Sequence, residues 1–482
     1  MMVGIITQHN IYAHYLHNTL LHNLTNKFIY MINIHGIILA AGKGTRMNSD
    51  MPKVLHILSD KTLLEHVLIK AKNTCKHVHV VYGYMGDQVK KSVSDNSINW
   101  VHQSEQLGTG HAVSQVTPHI EDDSISLIMY GDIPLIKEST LNNLIDQACI
   151  SGLSLLSIDL KDPKGYGRII RTDGQIKAIV EQKDANEKQL NINEVNTGFI
   201  AIKSKLLKKY LKEISNRNSQ SELYLTDIIA LAVDDGRIVE SVITIDRVEV
   251  AGVNDKVQLA ELERELQKKQ SLGFMNQGLT LKDPSRFDCR GALIFGKDCT
   301  IDVNVVVNGD VKLGENVSIS PNCIINNSII GSNVVVLPNS VIEGSVIGDG
   351  ASIGPFARIR PQTKIGKNAK VGNFVEIKKS SIGNNSKASH LSYIGDTIIG
   401  ENVNIGAGVI TCNYDGSKKH NTEIKDGAFI GSNSELIAPV VIGKNATIGA
   451  GSTITNDAPE DALTHSRTKQ STLKKWRRPS KK

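Results

Sequence analysis

In the last third of this chain an aliphatic residue recurs at every sixth position, with Gly, Asn, Asp and Ser in between. Those polar residues form corners, because they tolerate positive φ or bond their own backbone. A period of six fits neither an α-helix nor an alternating strand, and ordinary short strands would not keep one phase over six repeats. The pattern predicts a parallel β-helix of hexapeptide repeats, left-handed and of about eight coils. The predicted inward positions are Ile301, Val307, Leu313, Ile319 and Ile325, then Ile347, Ile353, Ile359, Ile365, Val371 and Ile377, then Ile424, Ile430, Leu436, Ile442, Ile448 and Ile454.

The front half has a different pattern, in which apolar runs alternate with amphipathic stretches. Residues 34–40, 78–82 and 126–130 predict buried strands, and the stretches between them predict helices. This alternation predicts a doubly wound, Rossmann-like α/β domain, in which ligands bind at the carboxyl ends of the strands.

A helix is predicted between the two regions, at residues 255–271, because Leu259, Leu262 and Leu266 recur at helical spacing among charged neighbours. At 482 residues the chain is too long for one core. The expected division is a leader at 1–30 that is disordered or an over-long start, a nucleotide-binding domain at 31–254, a linker helix at 255–275, the β-helix at 276–460 and a basic tail at 461–482.

Composition restricts the possible functions. The formal net charge is +6, but residues 461–482 contain eight Lys and Arg against one Asp, so the rest of the chain is close to neutral. We therefore expect a basic tail, for which phosphate binding stays open, and no nucleic-acid-binding face. The six cysteines show no CxxC spacing, which favours free thiols in a reducing cytoplasm. No apolar run is long enough to span a membrane.

A glycine-rich loop follows the first predicted strand, with the sequence Ala41-Gly42-Lys43-Gly44-Thr45-Arg46. Its backbone N–H groups suit a phosphate, although it completes neither a P-loop nor a GxGxxG motif. Lys53 adds a second cation a few residues later. An Arg and a Lys beside a glycine loop can neutralise a triphosphate, and this pair gives the weak loop motif its weight.

Two further groups of residues follow predicted strands. Residues 103–112 contain a Gly-Thr-Gly that begins a helix, and Tyr130-Gly131-Asp132 places an acid directly after an apolar strand. The aspartate is either a Mg²⁺ ligand or an ordinary helix cap, and the pattern alone does not decide between them. A third feature is the segment 413–421, which interrupts the six-residue period and must leave the β-helix wall as a loop.

At these motifs the chain resembles the bacterial bifunctional UDP-N-acetylglucosamine pyrophosphorylases/glucosamine-1-phosphate N-acetyltransferases. The resemblance runs from about residue 31 to the C-terminus, in order and without large gaps. The motifs that carry it are 39–47 with Pro52-Lys53, 103–112, Tyr130-Gly131-Asp132, 165–169, Val180-Glu181, Asn196-Thr197-Gly198, 222–227 and Gly252-Val253-Asn254.

The resemblance implies that the front domain transfers UMP from UTP to N-acetylglucosamine-1-phosphate, with Mg²⁺. Gln103, Gly108 and Thr109 would bind the uracil, because Gln both donates and accepts. Arg46 and Lys53 would hold phosphates, and Asp132 and Asn254 would hold the metal. The remaining nucleotide- and sugar-binding positions that it implies are Leu39, Ala40, Ala41, Gly42, Tyr130, Gly131, Gly167, Glu181 and Asn196.

For the β-helix the resemblance implies acetyl transfer from acetyl-CoA to glucosamine-1-phosphate, which would precede uridylyl transfer in making precursors for peptidoglycan and lipopolysaccharide. His390 would take the proton from the amine, with Glu376 orienting it. The implied acceptor-binding residues are Arg360, Lys378, Tyr393 and Asn404, and the implied acetyl-CoA-binding residues are Ala407, Asn413, Tyr414, Ser432, Ala450 and Arg467. The resemblance also implies a homotrimer with these sites between subunits.

Three alternatives compete with this interpretation. A nucleotidyltransferase with a purely regulatory β-helix would have no need for Arg360, Lys378 and His390 together. A non-catalytic assembly subunit should have lost residues such as Lys53 and Asp132. An acyl-cysteine mechanism through Cys412 is less favoured, since no activating base is adjacent in sequence. A lone His on a solenoid is usually a surface residue, so the assignment of His390 depends on the resemblance.

Overall fold

The computed structural model describes residues 33–478. The predicted leader, residues 1–30, lies outside the described residues. Within the described part the chain forms two compact units, residues 33–264 and 265–478. The division falls inside one long helix, Lys256–Asn276, which runs beyond the predicted end at residue 271 and through Gly273.

The front unit is built from strands that alternate with helices. Its strands are β1 (Ile34–Leu39), β2 (Ile57–Leu58), β3 (Lys61–Thr62), β4 (His77–Tyr82), β5 (Ile98–His102), β6 (Ile125–Tyr130), β7 (Leu153–Asp159), β8 (Arg168–Thr172), β9 (Gln175–Val180), β10 (Glu194–Lys203) and β11 (Glu240–Thr244). Its α-helices are α1 (Leu63–Thr74), α2 (Gly86–Ser92), α3 (Thr109–Ser114), α4 (Glu138–Ser151), α5 (Glu187–Leu190), α6 (Ser204–Tyr210) and α7 (Asp227–Asp234), and α8 (Lys256–Asn276) continues into the second unit.

The main sheet has the strand order β11-β7-β10-β6-β1-β4-β5, with β8 and β9 attached beside β10. β1 pairs in parallel with both β4 and β6, which places their carboxyl ends at one edge. The predicted doubly wound α/β fold is confirmed. One feature was not predicted: β10 is antiparallel to β6 and β7. A strand buried on both faces is apolar throughout in either direction, so the sequence pattern does not reveal its direction.

Helices cover both faces of this sheet. Two neighbouring residues of β1 show this, because their side chains pack into different cores. Ile38 packs into a core with α1 and α4, whereas Ile37 packs into a second core with α3, α6 and α7. Successive strand side chains point to opposite faces, so a continuous apolar strand needs two covering layers. α1 begins with a capping box between Thr62 and Glu65, which satisfies backbone N–H groups of its first turn.

The second unit is a parallel β-helix with three faces, as the hexapeptide period predicts. The first face is a sheet of 11 strands: Thr280–Leu281, Thr300–Ile301, Ser318–Ile319, Val335–Val336, Ser352–Ile353, Lys370–Asn373, Lys387–His390, Asn404–Ile405, Phe429–Ile430, Thr447–Ile448 and Leu463–Thr464. The other two faces belong to one 17-stranded sheet that begins with Phe287–Phe295 and Val305–Leu313. The second face continues with Ile324–Asn326, Val341–Glu343, Arg358–Ile359, Glu376–Lys378, Tyr393–Gly395, Ile410–Cys412, Glu435–Ile437 and Thr453–Ile454. The third face consists of Ile329–Ile330, Val346–Ile347, Lys364–Ile365, Ser381–Ile382, Thr397–Ile399, Thr422–Ile424 and Val440–Ile442.

Every predicted inward position of the ladder is buried and belongs to one continuous core. Stacked residues of successive coils are 17 or 18 positions apart, as Ile319 with Val336 and Ile353 with Val371 show. The expectation of about eight coils is too low, because the first face already holds 11 strands. The β-helix begins earlier than predicted, at Thr280–Leu281. The sequence does not reveal these first coils, because the long strand Phe287–Phe295 interrupts the six-residue period.

No helix among residues 33–478 is long and apolar enough to cross a membrane.

Candidate active sites

The first candidate site lies at the carboxyl edge of the front sheet, where β1 and β6 end. The loop after β1 passes over Lys53, and Gly44 is in the left-handed region at φ 60°. A Cβ on Gly44 would lie 2.6 Å from Cβ of Lys53, so only glycine lets the loop approach this closely. After β6, Gly131 hydrogen-bonds to the carbonyl of Leu39, which ties the two strand ends together.

A cleft of about 400 Å³ opens at this edge. It brings together most of the predicted nucleotide-binding residues from segments that are far apart in sequence. The predicted residues that line it are Leu39, Ala40, Ala41, Gly42, Lys53, Gln103, Gly108, Thr109, Tyr130, Asp132 and Asn254. Gln106 and Glu222 also line it, and the sequence analysis had not assigned them a role.

Charged groups converge in this cleft. Nζ of Lys53 donates to Oδ2 of Asp132 at 2.5 Å and to Oδ1 of Asn254 at 3.2 Å. Nη2 of Arg46 donates to the same Asn254 oxygen at 2.9 Å. The two oxygens predicted to bind a metal are therefore close together and already surround a positive charge. Among residues 33–478, no three His, Cys, Asp or Glu side chains form a metal-binding group.

Gln103 also lines the cleft and is buried. Its amide nitrogen lies 3.3 Å from the carbonyl oxygen of Gly108 and 3.1 Å from Nδ1 of His111, which fixes the orientation of the amide. Thr109 accepts a hydrogen bond from the backbone of Leu225 at 3.0 Å, so the Gly-Thr-Gly turn is held against the 222–227 motif. These contacts order the residues that were predicted to bind the base.

Gly167, Glu181 and Asn196 form a separate group beside the cleft, outside the residues that line it. The backbone N–H of Asn196 donates to the carbonyl of Gly167 at 2.9 Å, and Thr226 donates to Glu181 at 3.1 Å. Burial raises the pKa of Glu181, and nearby acids such as Asp227 add to the shift. Three predicted sugar-binding residues, from the start of β8, the end of β9 and β10, thus meet at one place.

The second candidate site follows a corner of the β-helix, between the first and second faces. One residue per coil recurs there, and Asn373 pairs in register with His390. Ala407 lies one coil beyond His390, and its carbonyl accepts a hydrogen bond from a backbone N–H of the following coil at 2.8 Å. The carbonyl of Ser432 accepts an equivalent hydrogen bond from the coil after that. The predicted base and the predicted acetyl-CoA-binding residues Ala407, Ser432 and Ala450 therefore stack along a single edge.

The partner of His390 differs from the prediction. Nδ1 of His390 lies 2.7 Å from Oδ1 of Asn373, whereas Glu376 pairs with Arg360 at 2.9 Å. Glu376 was predicted to orient the imidazole; in the structure Asn373 does so. The reason is the corner geometry: Asn373 stacks directly on His390, while Glu376 lies within the second face, in register with Tyr393.

The second face and its far corner hold three of the four predicted acceptor-binding residues, Arg360, Lys378 and Tyr393. Glu376 and Tyr393 stack on this face, and Lys378 ends the strand below. Lys378 lies 3.7 Å from the buried carboxylate of Asp396. Contact with the Lys378 ammonium lowers the pKa of Lys419. The sequence analysis had given Lys419 no role in the site. Asn404 lies on the first face, one coil beyond Lys387.

The predicted insertion leaves the wall between the strands Ile410–Cys412 and Thr422–Ile424. Ile405 pairs with Ile430 across this coil, a separation of 25 residues instead of 17 or 18. The loop is closed internally, because Asp415 accepts from Ser417 and Lys418 and pairs with His420 at 2.7 Å. Tyr414, a predicted coenzyme-binding residue, is exposed on it.

Cys412 and Arg467 complete the predicted set. Burial raises the pKa of the Cys412 thiol and the nearby Glu435 carboxylate raises it further, which disfavours the thiolate that an acyl-cysteine mechanism needs. The guanidinium of Arg467 lies near Gly449, beside Ala450, so the basic tail returns to the end of the edge that carries Ala407, Ser432 and Ala450.

Comparison with known proteins agrees with this architecture. Residues 36–158 match the family described as MobA-like NTP transferase domain, and residues 344–379 and 421–456 match the bacterial transferase hexapeptide repeats. Residues 289–361 match the GMPPB C-terminal domain. Two solved structures, a putative glucose-1-phosphate thymidylyltransferase of Bacillus anthracis in complex with a sucrose and a UDP-glucose pyrophosphorylase complexed with UDP-glucose, align with TM-scores of 0.39 and 0.40, at 21% and 18% identity. They cover 48% and 50% of this chain and 94% and 100% of their own.

Curated relatives cover almost the whole chain. The bifunctional protein GlmU of Ruthia magnifica subsp. Calyptogena magnifica is 66% identical over 452 residues, which is 94% of this chain and 100% of the relative. The proteins of the same name from Idiomarina loihiensis and Acinetobacter baumannii are 52% and 50% identical, each over 92% of this chain and 98% of the relative. The chain belongs to this family. The family predicted from the motifs is thereby confirmed.

Within this family assignment, two residues of the second site were missed from the sequence, Asn373 and Asp396. A signal for both was present. Counting one coil of 17 residues back from His390 leads to Asn373, and counting one coil back from Asn413 leads to Asp396. The six-residue period predicts the inward positions, and three such repeats make one coil of 17 or 18 residues. The coil length therefore also identifies which outward residues stack on one another.

Proposed function

We propose that the protein catalyses two successive reactions. The β-helix acetylates glucosamine-1-phosphate with acetyl-CoA, and the front unit then transfers UMP from UTP to the product, giving UDP-N-acetylglucosamine and pyrophosphate. The observation that supports this most directly is that each site gathers the residue types its reaction needs: two cations and two oxygen ligands in the cleft, and an imidazole with a free ring nitrogen on the β-helix.

In the cleft, the proposed roles follow the positions of the groups. Gln103, Gly108 and Thr109 bind the uracil, Arg46 and Lys53 bind phosphates, and Gly167, Glu181 and Asn196 bind the acetylated sugar. A phosphate oxygen of the sugar phosphate attacks the α-phosphorus of UTP, and the bond to the β-phosphate oxygen breaks as pyrophosphate leaves. Since the nucleophile is already an anion, the protein needs to position and neutralise charge and needs no general base.

The residues present fit a divalent cation. Asp132 and Asn254 offer two oxygens near one point, and oxygen is the ligand type that Mg²⁺ prefers. When bound, Mg²⁺ supplies positive charge that offsets the repulsion between the phosphates. Nζ of Lys53 contacts both oxygens and so restrains the rotation of the Asp132 and Asn254 side chains.

On the β-helix, His390 removes a proton from the acceptor ammonium. The amide oxygen of Asn373 can only accept, so Nδ1 of His390 carries the hydrogen and Nε2 keeps its lone pair. The neutral amine then attacks the thioester carbon of acetyl-CoA, and the C–S bond breaks to release the coenzyme thiol. Arg360, Lys378, Tyr393 and Asn404 hold the sugar phosphate. Ala407, Asn413, Tyr414, Ser432, Ala450 and Arg467 hold the coenzyme.

A homotrimer is proposed from an exposed apolar ridge beside His390. Phe356, Phe374 and Leu391 occupy one corner in successive coils and are 48%, 57% and 61% exposed. All three residues have a φ between 50° and 55°. In earlier coils the same corner is occupied by asparagine, for example Asn339. Bulky residues in this conformation cost on the order of 1 kcal/mol or more each. Contact with a second copy of the chain would offset that cost by burying the rings.

The domain division proposed above is kept: uridylyl transfer in 31–254, a linker helix at 255–275, acetyl transfer in 276–460 and a basic tail at 461–482. We also propose a reducing compartment such as the cytoplasm, since cysteines such as Cys75 and Cys323 are buried thiols outside any disulfide.

A coupled assay with two variants tests the proposal. With glucosamine-1-phosphate, acetyl-CoA, UTP and Mg²⁺, the released thiol and pyrophosphate are measured separately. Asp132→Ala should abolish pyrophosphate release and leave thiol release intact. His390→Ala should lower thiol release by about 10²–10⁴-fold and leave uridylyl transfer to N-acetylglucosamine-1-phosphate intact. Loss of both activities in either variant would contradict two independent sites.

A further inference from the structure

Asp396 is a carboxylate that none of the roles above uses. It lies at the corner between the second and third faces, and its side chain is only 4% exposed. Its φ of 50° is in the left-handed region. The same corner is occupied in the preceding coils by Asn327, Gly344, Gln362 and Lys379, which are all exposed. The fold therefore requires neither an acid nor burial at this corner.

Asp396 is bound to the 413–421 loop. Nδ2 of Asn413 donates to Oδ2 of Asp396 at 2.5 Å, at the first residue of the loop. At the other end, the backbone N–H of Thr422 donates to the carbonyl of Asp396 at 3.2 Å. One residue of the wall thus holds both ends of the insertion.

The same carboxylate faces Lys378 of the acceptor site and the neighbouring Lys379. Nζ of Lys378 lies 3.7 Å from Oδ2, and Nζ of Lys379 lies 4.0 Å from Oδ1. Lys378 is only 18% exposed, so this ion pair is screened by water less than a surface pair would be.

The neighbouring Gly395 shows how tightly these groups meet. A Cβ on Gly395 would lie 2.6 Å from the hydroxyl of Tyr393 and 2.8 Å from Nδ2 of Asn413. Two acceptor-binding residues, Lys378 and Tyr393, and one coenzyme-binding residue, Asn413, therefore converge on Gly395 and Asp396. A buried hydrogen bond to a charged group is stronger than a neutral one, so Asp396 is the main restraint among these contacts.

We propose that Asp396 is a positioning residue for acetyl transfer: its carboxylate fixes the coenzyme-binding loop against the acceptor-binding lysine, so that both substrates are presented in one arrangement. This inference rests on the acetyltransferase function proposed above. It goes beyond that function by naming the residue that couples the two halves of the site.

The test compares Asp396→Ala, Asn413→Ala and the double variant in the full-length protein. Asp396→Ala should raise the KM for acetyl-CoA by about tenfold, because the loop loses its anchor, and change kcat less. The double variant should be no worse than Asn413→Ala alone, since that variant already removes the bond to Asp396 as well as the coenzyme contact of Asn413. Asp396→Asn should stay within about threefold of the unmodified KM, because an amide oxygen still accepts from Asn413.

Hydrogen exchange supplies a readout that does not depend on activity. The amides of residues 413–421 should exchange faster in Asp396→Ala than in the unmodified protein, and uridylyl transfer should be unchanged. Asp349→Ala is the matched control, since Asp349 pairs with Lys367 at 3.1 Å on the surface of the same β-helix. An unchanged KM, unchanged loop exchange, or additive effects of the two single variants would overturn the proposal. Absence of acetyl transfer in the unmodified protein would instead refute the proposed function.

Discussion

A single hydrogen bond decides which nitrogen of His390 can act as a base. Asn373 accepts from Nδ1, so the lone pair of Nε2 points away from the wall. Glu376 in that place would have given a charged partner and stabilised the imidazolium; it pairs with Arg360 instead. The imidazole proposed as the base is therefore oriented by a neutral amide, and the residue is exposed to solvent.

Replacing Asn373 by Ala should lower kcat for acetyl transfer by about three- to tenfold, since one neutral hydrogen bond contributes about 0.5–1.5 kcal/mol to the orientation of the ring. Steady-state kinetics of thiol release measure this effect. Asn333→Ala, which removes an asparagine from another coil corner, is the control and should have no effect on kcat. A kcat for Asn373→Ala equal to that of the control would mean that the bond does not orient the base.

At the level of elements, the amino ends of β1 and β4 carry an unusual buried group of histidines. Nδ1 of His35 lies 2.9 Å from Nε2 of His79, and the other His35 nitrogen contacts Glu121. His79 is fully buried, and its Nδ1 has no partner among the described residues. His77 and His119 stack on this pair at its sides. The group joins three segments at the sheet edge opposite the nucleotide cleft.

This histidine group should make the stability of the front unit depend on pH. Burial lowers the pKa of His79 from 6.5 to about 4, and the neighbouring His35, His119 and His77 add to the shift, whereas Glu121 opposes it. Because the unfolded chain binds this proton more readily, stability is complete above about pH 6.5 and falls as the pH drops towards 4. The loss is on the order of 3 kcal/mol.

Urea unfolding of the full-length protein between pH 4 and 7.5 measures that loss. His79→Gln, which keeps a donor towards His35 and cannot titrate, should have a shallower decrease in unfolding free energy across this range. His66→Gln, outside the group, should follow the unmodified protein. Parallel curves for His79→Gln and the unmodified protein would show that His79 is not responsible for the acid sensitivity.

At the scale of the whole molecule, two reaction sites are built on two different folds within one chain. The cleft is formed entirely by the front unit, and its residues converge because parallel strands end at one edge. The β-helix instead presents its residues along corners and faces that remain open. An open surface gives little exclusion of water, which is why we expect neighbouring copies of the chain to complete this site.

Introducing a charge into the ridge should separate the copies. Phe374→Asp places a carboxylate against Phe356, whose ring stacks on Phe374 at 5.2 Å. Burying that charge in an interface is costly, so light scattering should change from trimer to monomer. Acetyl transfer should fall by about tenfold or more, because the site is then incomplete. Uridylyl transfer should persist.

Ile329→Asp is a suitable control, because Ile329 is also exposed but lies on the third face, away from the ridge. It should leave both the mass and the activities unchanged. A Phe374→Asp protein that remains trimeric would exclude the ridge from the interface.

The local sequence pattern was sufficient to predict the β-helix and the edge of the front sheet where the ligand-binding motifs lie. The six-residue period established the β-helix, and each inward position that it named between Ile301 and Ile454 is buried, because a side chain in a short strand points either in or out and the period records which. Other core positions in this range, such as Ile342 and Ile394, were not named. Motifs that directly follow apolar strands, such as Tyr130-Gly131-Asp132, were placed at the ligand edge for the same reason.

The tertiary structure decided what the pattern does not record. The direction of β10, the early coils before Ile301 and the partners of His390 and Asn413 all depend on which segments pair, and pairing is a property of two distant segments together. Asn373 and Asp396 look like ordinary corner residues in the sequence. The coil period indicates which corner residues stack, but only the structure shows that these two stacked side chains hydrogen-bond to His390 and Asn413.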